Sequence, residues 1–317
     1  MAPKPAPRCA IIGAGRKRNG LGPFLARDLE AAGAQVVAVG GRDGDRTRQV
    51  AADLAGRLGH DVAAYSSLDE LLGAGPDALV IAAPIEVHQP ALLAALEAGL
   101  PVLCEKPLVS VEQHGGVPSL LAGFEERGLV LMENCQWPYA LGCLEELHPG
   151  LLGRPVETVE MLVSPTGRGR DMVVDSLSHF LSVLQRLLPV DSTTRLTGLE
   201  VTDCDDATEE LELVVGLESP FPKVRAALYL RRCADQPRPA WVAVNGSRAE
   251  RHVDPRDYSM SFSGGGREVQ VEDPMALLVR RFVHSLMDPD LDRARTERRA
   301  ILERARLYAA VFAAWDA

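Results

Sequence analysis

The chain has 317 residues, 46% hydrophobic and 25% charged, with a formal net charge of −10. That length leaves room for two domains, each able to bury its own core. The acidic balance argues against nucleic acid or an anionic membrane as a partner, and no apolar run reaches the length that spans a bilayer.

The opening residues, Met1 to Arg8, are proline-rich and lack the apolar core of a signal peptide, so a cytoplasmic chain is expected. Six cysteines (Cys9, Cys104, Cys135, Cys143, Cys204 and Cys233) form no CxxC pair. That spacing weakens both disulfide and zinc readings and suits a reducing compartment. The histidines outside position 179 show no metal-ligand spacing, so no metal is expected.

In chain order, Cys9-Ala10-Ile11-Ile12 reads as a buried strand opening onto Gly13-Ala14-Gly15. After Arg16-Lys17-Arg18-Asn19 comes Gly20-Leu21-Gly22, then a helix over 23–32 and a strand over 35–39. Strand, glycine turn, helix, strand is the unit whose helix start holds a pyrophosphate. Strict GxGxxG spacing fails, because four residues stand inserted after Gly15. Removing them leaves Gly13, Gly15 and Gly22 as the three glycines. A plain strand-to-helix turn needing glycine for backbone reasons fits the same letters.

The second strand ends at Gly40-Gly41-Arg42-Asp43. An NAD site of this type wants an acid there to accept the ribose hydroxyls. Gly41 leaves room for a 2′-phosphate, and Arg42 can clamp it. The inserted Arg16, Lys17 and Arg18 add positive charge. NADP(H) is therefore expected over NAD(H). The alternative is a solvated Arg42, with Asp43 doing the acid's work.

The alternation continues with a helix over 46–58, strand 62–65, a capped helix start at Ser67, strand 77–83 and helix 90–98. Strand 102–104, helix 110–127 and strand 129–132 complete it. This is the pattern of a doubly wound parallel sheet, giving a dinucleotide-binding domain over 1–132. Glu105-Lys106-Pro107 follows the strand at 102–104, on the edge where open parallel sheets bind ligands. Only four of the 34 basic residues are lysine, Lys106 among them. Unlike arginine, lysine can exchange a proton when its pKa is lowered.

Two stretches, Ala83-Pro84-Ile85-Glu86-Val87-His88 and Ala94 through Gly99-Leu100-Pro101 to Glu105-Lys106-Pro107, closely resemble the Gfo/Idh/MocA oxidoreductases. These are the relatives of glucose–fructose oxidoreductase and inositol dehydrogenase. The resemblance implies a Rossmann domain followed by an α+β domain on a large, mostly antiparallel sheet, with the nicotinamide in the cleft between them. It also implies a catalytic set of Lys106, Asp175 and His179, and places Pro84, His88 and Glu105 near the cofactor.

The second domain, 133–317, is expected to bind substrate and to make a homodimer or homotetramer through its sheet. Asp175 and His179 lie four apart in the apolar segment 172–188, on one helix face. A carboxylate beside an imidazole raises its basicity and orients it. An Asp–His pair tying a buried helix to its neighbours has the same spacing. Asn134, Gln136 and Trp137 are candidates for the substrate pocket, and Trp137 equally for the core. Ser182 stands where many relatives carry a second aspartate. Strands are expected over 156–164, 209–217, 224–231 and 241–246, the last ending in the hairpin pair Asn245-Gly246. Closing helices are expected over 277–287 and 297–315.

The reading is an NADP(H)-dependent oxidoreductase working on a carbonyl or secondary alcohol of a sugar or cyclic polyol. Imine or C=C reduction, and a non-catalytic NADP-binding sensor, are the competing readings.

Overall fold

A computed structural model of the protein describes residues 5–15, 21–202, 204–254 and 259–317. Arg16, Lys17 and Arg18, expected at the cofactor, lie outside the described residues. The chain divides into two compact units: residues up to 134 with 275–302, and 135–274 with 303–317.

The first unit runs β1 (Arg8–Ile12), α1 (Gly22–Ala31), β2 (Gln35–Gly40), α2 (Gly44–Leu58), β3 (Ala63–Tyr65), α3 (Leu68–Gly73), β4 (Ala78–Ile81), α4 (Ile85–Glu97), β5 (Val102–Cys104), α5 (Val117–Glu126) and β6 (Leu131–Glu133). Its described strands form a six-stranded sheet in the order β3-β2-β1-β4-β5-β6. The pairs are parallel throughout. β4, β5 and β6 are buried along their whole length, as strands covered on both faces must be. The order reverses between β1 and β4, the switch point where such sheets bind dinucleotides.

Two helices depart from expectation. α4 begins one turn ahead of Pro90, which sits inside it, exposed. That extra turn carries His88 into the interior. The helix expected over 110–127 is a 3₁₀ turn, Val111–Gly116, followed by α5 with Pro118 in its first turn.

The second unit runs a 3₁₀ turn (Trp137–Tyr139), α6 (Gly142–Leu147), β7 (Thr158–Val163), α7 (Arg170–Leu187), β8 (Arg195–Val201), β9 (Glu210–Glu218), β10 (Val224–Arg231), β11 (Trp241–Val244), β12 (Ser247–Val253), β13 (Met260–Gly264) and β14 (Arg267–Val271). The described strands form an eight-stranded sheet, β14-β13-β12-β11-β7-β10-β9-β8, antiparallel except for the β7–β10 pair. α7 packs on β7 and β10. Val159, Met161, Ala226 and Leu228 are buried, while Glu160, Leu162 and Tyr229 alternate onto the opposite face. Asn245 (φ 48°) and Gly246 (φ 77°) make the expected tight hairpin between β11 and β12.

α8 (Pro274–Met287) and α9 (Leu291–Trp315) close the chain. Segment 275–302 clusters with the first unit, although chain order assigns it to the second domain. Buried Arg298 shows why: it donates to the Leu129 carbonyl (3.3 Å) and pairs with Glu125 (3.5 Å). The end of α9 belongs to the second unit, where Arg304 reaches Gln185 (2.5 Å) and the Tyr308 hydroxyl reaches the Val174 carbonyl (3.2 Å).

Candidate active site

The glycine turn after β1 is built by close approach. Gly13 has φ +85°, and a Cβ there would lie 2.5 Å from the Ala83 Cα. The turns after β1 and β4 therefore touch at the switch point, which only glycine permits. A Cβ on Gly22 would lie 2.4 Å from the Ala14 Cα. Gly22 is thus the glycine that lets α1 pack against the turn, despite the lengthened loop. Gly15 faces side chains instead, Val50 and Arg46 of α2.

Two cavities of about 340 Å³ open on either side of the β2 end. One is lined by Gly13 to Gly15, Arg42, Arg46 and Thr47. The other is lined by Gly41, Arg42, Ser66, Ser67, Pro84 and Val87. Arg42 borders both and is exposed. The Asp43 carboxylate is the N-cap of α2, accepting from the Arg46 amide at 3.1 Å. A Cβ at Gly41 would come within 2.7 Å of the Thr47 hydroxyl, itself donated to the Asp43 carbonyl at 2.6 Å. Asp43 itself borders the first cavity, with one carboxylate oxygen engaged by its own helix, beside Arg42 and Arg46. These residues fit a dinucleotide with its phosphates toward Gly13–Gly15 and its ribose toward Gly41.

Lys106 follows β5, half-buried, with a cis bond to Pro107. The polar groups around it are mostly interior. Glu105 is buried, and its carboxylate accepts from the Asn134 side-chain amide. Buried Glu133 accepts from the Leu108 amide at 3.0 Å. His88 is buried with Nδ1 2.9 Å from the Pro107 carbonyl and Nε2 3.0 Å from the Ala83 carbonyl. Burial, with Glu133 and Glu105 nearby, pushes the Cys104 thiol well up, so it stays protonated.

His88 and Glu105, expected against the cofactor, turn these polar groups onto protein. Asn134, a substrate candidate, holds Glu105. Trp137 is buried edge-on against Phe262 (centroids 6.3 Å), with Arg251 5.5 Å from its ring. Gln136 is half-buried. In the second unit, Asp175 and His179 stand one turn apart on α7, the first exposed and the second half-buried. Ser182 donates to the His179 carbonyl at 2.7 Å, so its hydroxyl serves its own helix.

Residues 7–135 match the model of an oxidoreductase family, the NAD-binding Rossmann fold of Gfo/Idh/MocA proteins. This dinucleotide-binding domain belongs to the Gfo/Idh/MocA family. Inositol 2-dehydrogenase 4 of Saccharopolyspora erythraea is 31% identical over 209 residues, 62% of this chain and 55% of the relative. An inositol 2-dehydrogenase of Streptomyces avermitilis is 33% identical over 196 residues, 58% and 54%. The chain thus spans about half the length of these relatives. Among solved structures, a 3-ketoreductase mutant from Actinomadura kijaniata, in complex with TDP-benzene and NADP, superposes with a TM-score of 0.73. It is 20% identical, with 98% of each chain covered. An inositol dehydrogenase homologue from Azotobacter vinelandii, complexed with NADH and myo-inositol, gives 0.66 at 17% identity, covering 100% of this chain and 96% of that one. At such identities the superpositions establish the fold over both units.

Within the Gfo/Idh/MocA fold, sequence reading missed Arg46, Thr47 and Glu133. Arg46 and Thr47 sit one helical turn past a capping aspartate, a recognisable signal that they face the β2 end. Glu133 ends an apolar strand and carried no signal of its own. Its role depends on a strand-order neighbour, β5.

Proposed function

We propose that this protein is an NADP(H)-dependent oxidoreductase that transfers a hydride to or from a carbonyl or secondary alcohol of a sugar or cyclic polyol. The observation that carries the cofactor preference is the β2 end, where Gly41 and Arg42 border the cavities and the Asp43 carboxylate caps α2. Relatives named inositol 2-dehydrogenase, and a structural neighbour named a 3-ketoreductase, support the substrate class.

The bound nicotinamide would supply or accept the hydride. Lys106 polarises the substrate oxygen. His179 exchanges that oxygen's proton, because an imidazole titrates near neutrality. Asp175, one turn away on α7, orients His179 or takes a neighbouring hydroxyl.

The six cysteines are all free, which supports a reducing cytoplasm. No helix among the described residues is long and apolar enough to cross a membrane. The sheet face carrying Leu162, Tyr229 and Trp241 supports self-association. On it Tyr229 and Trp241 pack at 5.5 Å, and the Arg248 guanidinium sits 3.9 Å above the Trp241 ring.

The test is absorbance at 340 nm with NADPH and a panel of ketosugars and imines, and with NADP⁺ and polyols. Turnover of ketosugars or polyols is expected, with Lys106→Ala and His179→Ala each lowering kcat by about a thousandfold while NADPH still binds. Imine turnover alone would move the assignment to the reductase reading. NADPH binding without turnover on any class would make it a sensor.

A further inference from the structure

We propose that Asn134, Glu133 and His88 are positioning residues that clamp the loop carrying Lys106; this rests on the reading of Lys106 as the group that meets the substrate oxygen. The loop leaves β5 at Cys104 and has no strand or helix of its own over 105–108. Such a segment would ordinarily drift, since fixing its backbone dihedrals costs conformational entropy. Here three side chains from neighbouring elements hold it at three successive points.

At residue 105, the Glu105 carboxylate is held by the Asn134 side-chain amide. At residue 107, the carbonyl faces the His88 Nδ1 at 2.9 Å. At residue 108, the amide is taken by the Glu133 carboxylate at 3.0 Å. Lys106 lies between the first point and the second. All four polar side chains are interior: Glu105 is 8% exposed, Glu133 7%, Asn134 2% and His88 1%. Burying polar groups is favourable only when they are bonded, so their geometry is tightly determined.

The anchors also come from rigid places. His88 rides on α4 and is joined through Nε2 to the Ala83 carbonyl, beside the Gly13 turn. Glu133 ends β6, which is hydrogen-bonded to β5, and the Asn134 amide donates to the Cys104 carbonyl at 2.7 Å. The clamp therefore references Lys106 to the same sheet edge that builds the cofactor cavities. A carbonyl only accepts, so an imidazolium satisfies both His88 contacts and a neutral ring only one. Holding a reacting group within a fraction of an ångström is what such shells contribute.

The scarcity of lysine makes a direct test practical. Reductive methylation with ¹³C-formaldehyde labels only Lys4, Lys17, Lys106, Lys223 and the amino terminus. Lys106→Arg assigns the Lys106 resonance. In Glu133→Ala and Asn134→Ala that resonance is expected to move while the Lys223 resonance stays. Glu133→Gln, which keeps an acceptor oxygen for the Leu108 amide, is expected to bring it back toward the wild-type position. For whichever substrate turns over in the 340 nm assay, kcat should fall about ten- to a hundredfold in Glu133→Ala with the NADPH Kd unchanged. Should Glu133→Ala fail to fold, Asn134→Ala carries the test. A Lys106 resonance unmoved in folded Glu133→Ala and Asn134→Ala would overturn the clamp. Full activity in Lys106→Ala would instead overturn the catalytic reading, whatever the resonances do.

Discussion

The β2 end offers the sharpest test of cofactor choice. Replacing Arg42 by alanine removes a guanidinium that borders both cavities. A hydrogen bond to a charged group contributes about 1.5–3 kcal/mol. Arg42 is exposed, so solvent and salt screen it and the lower figure applies. That predicts about a tenfold weaker NADPH Kd, since 1.4 kcal/mol is a factor of ten, with NADH scarcely affected. Arg46, half-buried on the same cavity, keeps part of the field, and Arg42→Ala/Arg46→Ala should lose correspondingly more. Titration of bound NADPH and NADH fluorescence at two salt concentrations measures all of this. Asp43→Asn is the control: asparagine still caps α2, so NADH affinity should not fall, whereas Asp43→Ala should cost about 1 kcal/mol of stability through the lost cap. Equal weakening of both dinucleotides in Arg42→Ala would refute the argument. So would a loss of NADH affinity in Asp43→Asn, which would make that carboxylate the ribose ligand.

Three further outcomes follow from the same structure. Gly22→Ala would drive a methyl to 2.4 Å from the Ala14 Cα, so a lower Tm by about 1–3 kcal/mol in stability and weaker NADPH binding are expected; an unchanged melting curve would remove Gly22 from the turn. Burial raises the Cys9 and Cys143 thiols from 9.0 to about 12. Unfolded thiols lose their protons above pH 9 while the folded ones keep them, so stability is level below pH 9 and falls by about 1.4 kcal/mol per pH unit per thiol as pH rises toward 12. Urea unfolding from pH 8 to 11, with and without Cys143→Ser, measures it, and a flat profile would count against that burial effect. Finally, Trp241→Glu places a charge on the open sheet face, and analytical ultracentrifugation should show a smaller species than the wild type. A wild type already monomeric at micromolar concentration would end the self-association proposal.

How much was legible in the chain differs from element to element. The parallel sheet was readable because β4, β5, β1 after Arg8 and β6 before Glu133 are buried and appear as apolar runs between helical stretches. The hairpin at Asn245-Gly246 was readable because its two positive φ angles demand those residues. β8 was not, for it has mixed exposure and stands at the edge of the sheet's described strands, beside β9. β13 and β14 were passed over too, although Gly265 and Gly266 between them have the positive φ angles of a tight turn. The helix over 110–127 broke into a 3₁₀ turn and α5, since Pro118 suits a first turn and not an interior.

The candidate site divides along the same line. Local chemistry marked Gly13, Gly22, Gly41, Arg42, Asp175 and His179 by a turn, a missing acid or a helical spacing within a few residues, and Lys106 by its place after a strand in a lysine-poor chain. Tertiary structure alone decided what His88, Glu105, Asn134 and Glu133 meet. A carboxylate or imidazole is equally able to meet a ligand or a backbone group, and the choice depends on what the strand order brings beside it. With β5 set between β4 and β6, the interior at the end of these strands contains bare amides and carbonyls, and burial requires that polar side chains satisfy them.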